Sequence, residues 1–129
     1  MQGTSGGPES YLPNFDNTVT CTVKHYAAYG RTAGGIDGSP ANLSPQELNE
    51  IYLRPWQELA QAGFLRSVMV AQNAVNGVPM HSHKFLLNTT LRYKWGAERA
   101  LIESDGGDCI GALMGFRVAA NAPRRQCWL

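Results

Sequence analysis

Ala100-Leu101-Ile102-Glu103-Ser104-Asp105-Gly106-Gly107-Asp108 decides the fold, because a short apolar run passes into carboxylates and then into two adjacent glycines. Ala100, Leu101 and Ile102 are too few and too apolar for a surface segment, and Gly106-Gly107 lets the backbone turn sharply before a new helical pattern begins. The run reads as a buried strand, Ala100 to Ser104, with Asp105 at its carboxyl end. Parallel α/β sheets and barrels gather reactive groups at that edge, because the loops leaving it converge on one mouth. The plainer alternative is that Asp105 or Asp108 only caps the following helix.

Two upstream stretches repeat the pattern. Thr18-Val19-Thr20-Cys21-Thr22-Val23 is a β-branched run without Gly or Pro, and it predicts a strand closed by Lys24-His25. Ser67-Val68-Met69-Val70-Ala71 predicts another, which ends in Gln72-Asn73 ahead of an Asn76-Gly77 turn. Every strand exits into polar groups.

Helical patterns separate the strands. Ser44-Pro45-Gln46-Glu47 combines an N-cap serine, a proline at the first helical position and a glutamate three residues after the cap. Leu48, Ile51, Tyr52, Trp56 and Leu59 supply its expected apolar face, Pro55 is expected to bend it, and Gly63 to stop it. His83 to Trp95 predicts a second helix with Leu87, Leu91 and Trp95 on one stripe. A third is expected from Asp108 to about Asn121, with Ile110, Leu113, Met114 and Val118 facing inward. Strand and helix thus alternate at roughly forty residues per repeat, which predicts an α/β fold of parallel strands joined by helical crossovers. Residues 1–17 and 122–129 carry no periodic pattern and are expected to flank a domain over 18–121.

Composition narrows the function classes. The chain has 129 residues, 43% hydrophobic and 16% charged, with a formal net charge of +1, so nothing electrostatic points to nucleic acid or to a membrane surface. Cys21, Cys109 and Cys127 are odd in number and widely spaced, which gives neither a disulfide framework nor a paired-cysteine metal knuckle. Met1 to Asn14 shows no cationic region followed by an apolar core, so no signal peptide is expected, and the sequence does not indicate a compartment. No apolar run approaches the ~20 residues of a membrane span.

Several motifs fit a chemical role less well than a structural one. His81-Ser82-His83 could pair on a metal with Asp105, Asp108 or Cys109, yet it precedes a helix, and capping or surface roles are commoner for so short a motif. No metal site and no cofactor are expected. The glycines between Gly30 and Gly38 match neither phosphate-binding signature and suit a substrate-mouth loop better. No nucleophilic serine elbow is present. Lys24 beside a buried strand must reach solvent or a ligand.

Taken together, Val23-Lys24-His25-Tyr26-Ala27-Ala28-Tyr29-Gly30, Gly34-Gly35-Ile36-Asp37, Glu50-Ile51-Tyr52-Leu53-Arg54-Pro55-Trp56, Ser67-Val68-Met69, Asn73-Ala74-Val75-Asn76-Gly77-Val78-Pro79 and Ser104-Asp105 resemble glycoside hydrolase family 3 from about Asn17 to Asn121. The resemblance implies a partial TIM-type barrel, about three of the eight strand–helix units. It also implies a retaining glycosidase of the β-glucosidase or β-xylosidase type, with an oligosaccharide or glycoside substrate. By that likeness Asp105 is the catalytic nucleophile, and Lys24 and His25 hold hydroxyls of the sugar. Gln72 stands where many members carry tyrosine and is a candidate substrate contact, while Gly106 replaces a frequent tryptophan. The family's remaining sugar-gripping residues and its acid/base are expected from the rest of the barrel and a second domain, so the chain is expected to be a fragment. The alternative is a noncatalytic remnant or carbohydrate-binding piece of the same fold.

Overall fold

The computed structural model describes residues 4–5, 12–13, 19–105, 114–115 and 117. A two-residue antiparallel pair, β1 (Thr4–Ser5) with β2 (Leu12–Pro13), comes first. The centre is a parallel three-stranded sheet of β3 (Thr22–Tyr26), β4 (Ser67–Val70) and β7 (Leu101–Glu103), side by side in sequence order. The expected parallel α/β arrangement is therefore present, and all three strands point their carboxyl ends to one edge.

Register places Val23, Val68 and Ile102 in one row. Val68, Val70 and Ile102 belong to a single apolar core with Trp56, Leu86 and Leu91, so this face of the sheet packs on the helices. Successive side chains alternate faces. The row of Thr22, Ser67 and Leu101 consequently lies on the other face, where Leu101 is 45% exposed.

The first strand runs from Thr22 to Tyr26 rather than from Thr18 to Val23, so Lys24 and His25 lie within it instead of beyond it. Tyr26 explains the shift. Its ring is fully buried, edge-on to Trp56 at 5.1 Å and to Trp95 at 6.4 Å, and its phenol donates to the Leu86 carbonyl at 2.9 Å. An aromatic side chain buries about 150–250 Å², more than the β-branched run offers, and it fixes where pairing occurs. Val19 is left 65% exposed.

The helix over 45–61 starts as the sequence predicts, with Ser44 Oγ accepting the Glu47 N–H at 3.1 Å and Pro45 in the first turn. The Glu47 carboxylate lies 3.5 Å from Arg31 Nε. The winding widens to a π-type turn over Leu48–Leu53 and returns to α geometry at Arg54–Gln61. Pro55, which lacks the donor a regular turn requires, sits just after the change. The extra residue rotates the inward face. Leu48, Leu53, Trp56 and Ala60 are buried, whereas Ile51, expected inside, is 59% exposed. Gly63 ends the helix with φ +77°, a conformation that side chains disfavour.

After β4, Asn76 (φ 48°) and Gly77 (φ 83°) form the two-residue turn of a hairpin between β5 (Ala74–Val75) and β6 (Val78–Pro79). Asn76 anchors that hairpin, since its side chain accepts from Leu43 N at 2.8 Å and donates to Leu43 O at 3.0 Å. The next helix, Phe85–Lys94, is also widely wound and buries Leu86, Leu87, Thr90 and Leu91, with Trp95 following. The Gly106-Gly107 turn, Asp108, Cys109 and most of the expected third helix lie outside the described residues.

Candidate active site

Because the three strands are parallel and in sequence order, their exits form one edge that carries each candidate residue. Lys24 is exposed and His25 half-buried at the end of β3; Gln72 is half-buried two residues past β4; Asp105 is exposed two residues past β7.

Tyr29 packs against the end of β3. Its ring lies against that of His25, with centroids 4.4 Å apart at 34°. A hydrogen bond to Asp37 raises the Tyr29 phenol above its ordinary pKa, helped by partial burial and by the negative charges of Asp37 and Asp105. The Gly-rich loop also contributes an acid to the site through Asp37. Tyr29 and Asp37 stand in the quoted motifs without a site role, since no spacing rule pairs residues whose contact depends on a folded loop.

Beneath these groups the backbone is cross-linked. The Ala71 N–H donates to the Tyr26 carbonyl at 2.6 Å, and Asn73, wholly buried, donates through Nδ2 to the carbonyls of Ala27 and Ala74 at 3.3 Å each. His81 is 1% exposed, with Nε2 3.2 Å from Ser104 Oγ. His83 caps the helix at Phe85–Lys94, its Nδ1 accepting the Leu86 N–H at 3.4 Å. The two histidines thus serve separate structural contacts. Among the described residues no group of three or more His, Cys, Asp or Glu side chains gathers as a metal cluster. No helix among them is long and apolar enough to cross a membrane.

Burial holds the His83 imidazole below its ordinary pKa, partly offset by a backbone hydrogen bond. The neutral ring is the form the fold accepts. Its contribution to stability is complete above the unfolded value of about 6.5 and is lost as pH falls through the lower folded value. The chain's melting temperature is expected to drop between pH 7.5 and 5.5, and His83→Asn, which keeps an acceptor without titrating, should shrink that drop by a few degrees. Equal drops in parent and variant, read by circular dichroism, would remove His83 from the acid response.

Known proteins share this fold. The Glycosyl hydrolase family 3 N terminal domain matches residues 1–122. The chain is 37% identical over 89 residues to a periplasmic β-glucosidase of Salmonella typhimurium, covering 69% of this chain and 12% of that protein. It is 34% identical over 113 residues to a β-xylosidase of Formosa agariphila, covering 88% and 15%. Among solved structures, a β-glucosidase from Erythrobacter marinus superposes with TM-score 0.74 and 34% identity over 92% of this chain and 15% of that one. A β-glucosidase from Listeria innocua in complex with glucose gives TM-score 0.71 and 32% identity over 79% and 14%. The chain therefore spans about a seventh or less of the length of these relatives.

Proposed function

The chain belongs to glycosyl hydrolase family 3, and from that membership we propose that it supplies one wall of the active site of a retaining β-glycosidase acting on β-glucosides or β-xylosides. Its parallel sheet and helices are an arc of the family's TIM-type barrel. The observation that supports the reading is the placement of Lys24, His25, Gln72 and Asp105 at the carboxyl edge of one parallel sheet, with the Tyr29 ring packed on His25.

In this reading Asp105 attacks the anomeric carbon as a carboxylate and forms a glycosyl ester, while the bond to the leaving oxygen breaks. A carboxylic acid about 5 Å away, supplied by the rest of the enzyme, protonates that oxygen and then deprotonates the water that cleaves the ester. Asp105 is suited to the first role by its place just past β7, on the edge of the sheet that also carries Lys24 and His25. Lys24 and His25 offer donors to sugar hydroxyls. Gln72 adds an amide that can both donate and accept.

A graft tests the proposal directly. The chain replaces the matching segment of the Erythrobacter marinus β-glucosidase, and nitrophenyl β-glucoside and β-xyloside are the substrates. Turnover of either within about a hundredfold of the unmodified enzyme is expected, whereas the 129 residues alone should give little hydrolysis, because loss of the general acid by itself costs about 100- to 10,000-fold. A graft that folds and binds glucose without turnover would overturn the catalytic reading and favour a carbohydrate-binding remnant.

A further inference from the structure

The His81 contact has a role that neither metal binding nor surface exposure describes. His81 sits in the turn Met80–Ser82, directly after the β5–β6 hairpin, and is 1% exposed. A buried imidazole is costly unless its polar atoms are bonded. Its Nε2 reaches Ser104 Oγ at 3.2 Å across 23 residues of sequence, and the same hydroxyl lies 3.5 Å from the Asp105 carbonyl. The ladder between β4 and β7 ends at the pair Met69 and Glu103. Beyond that pair the chain leading to Asp105 has no further strand pairing.

We propose that His81 is a positioning residue for Asp105: by bonding the Ser104 hydroxyl it fixes the stretch of backbone from which the Asp105 carboxylate projects. The inference rests on the reading of Asp105 as nucleophile. The support on the other side of the bond is itself held. The Met80 N–H donates to the Asn73 carbonyl at 3.1 Å, the His83 N–H to the Met80 carbonyl at 3.1 Å, and Ser82 Oγ to the Pro79 carbonyl at 3.1 Å. Asn76 ties the hairpin to Leu43. His81 therefore transmits the position of a doubly anchored hairpin to the exit of β7. A misplacement of about 1 Å in a reacting group can lower turnover on the order of a hundredfold, so the tether matters although His81 does not touch substrate.

The test compares two amides of different reach. In His81→Gln the amide extends to about where Nε2 lies and can keep the bond to Ser104, whereas in His81→Asn it stops near the level of Nδ1. On the full 129-residue chain, the heteronuclear 15N NOE of Ser104 and Asp105 should fall in His81→Asn and recover in His81→Gln, with Val68 and Ile102 unchanged. In the grafted enzyme, kcat should fall about 10- to 100-fold in His81→Asn with KM within about twofold, and His81→Gln should stay within about threefold of the parent. Ser104→Ala should match His81→Asn, and the double variant should be no worse than either single change.

Equal behaviour of the two amides, additive effects in the double variant, or loss of order that extends to Val68 would each overturn the proposal. If Asp105→Asn retains activity, the nucleophile reading fails, and the NOE comparison still decides whether the tether exists. If Asp105→Asn is inactive and His81→Asn is fully active, only the positioning role of His81 is overturned.

Discussion

In the grafted β-glucosidase, Asp105→Asn is expected to lower hydrolysis of nitrophenyl glycosides by at least about 1,000-fold while leaving the melting temperature within about 2 °C. The two halves of that expectation have separate grounds. An amide has nearly the shape of a carboxylate, and Asp105 is exposed beyond the last ladder pair of β7, so the fold loses little. Chemically the change is severe, because an uncharged amide cannot form the glycosyl ester through which a retaining enzyme passes. The assay is the initial rate with an excess of substrate. Activity within about tenfold of the parent would take the nucleophile role from Asp105. Glu103, half-buried on the same strand and paired with Met69, would then be the next carboxylate to replace.

Tyr26→Ala should destabilise the chain by about 3–5 kcal/mol, the range seen when a large aromatic is removed from a core. Tyr26 is wholly buried, edge-on to Trp56 and Trp95, and its phenol donates to the Leu86 carbonyl at 2.9 Å. Burial pushes the phenol's pKa well up, consistent with a hydroxyl that stays protonated and donating. The alanine variant opens a cavity among the two indoles and also leaves that carbonyl without its donor. Against the ~5–15 kcal/mol of an ordinary domain, such a loss removes a large part of the total stability. Tyr26→Phe keeps the ring and forfeits only the hydrogen bond, so it should cost about 1 kcal/mol. Urea unfolding separates the two. If both variants fell within 1 kcal/mol of the parent, Tyr26 would not set the register of β3.

Features that rest on local chemistry were legible before any tertiary contact was known. Strand and helix alternate as their hydrophobic periods require, and that alternation was enough for parallel strands and a common edge. Ser44, Pro45 and Glu47 start a helix because an N-cap, a ring with fixed φ and an acid in the first turn act within four residues. Asn76-Gly77 makes its hairpin because both residues tolerate positive φ. The family motifs added Asp105, Lys24 and His25 as candidate site residues, which no period supplies.

Tertiary structure decided the rest. The β-branched run predicts a strand over Thr18 to Val23, but the pairing of β3 begins at Thr22 and reaches Tyr26, whose ring packs on Trp56 within one helix and Trp95 just after another. Ile51 turned outward because the widened winding before Pro55 shifted the helical phase, and Leu53 took the inward place. Local spacing also gave no indication that Tyr29 would lie on His25 or that His81 would bond Ser104. These partners are brought within reach only when separate crossovers pack on one sheet, and the free energy that selects them comes from burial shared by the whole core rather than from any short stretch of chain.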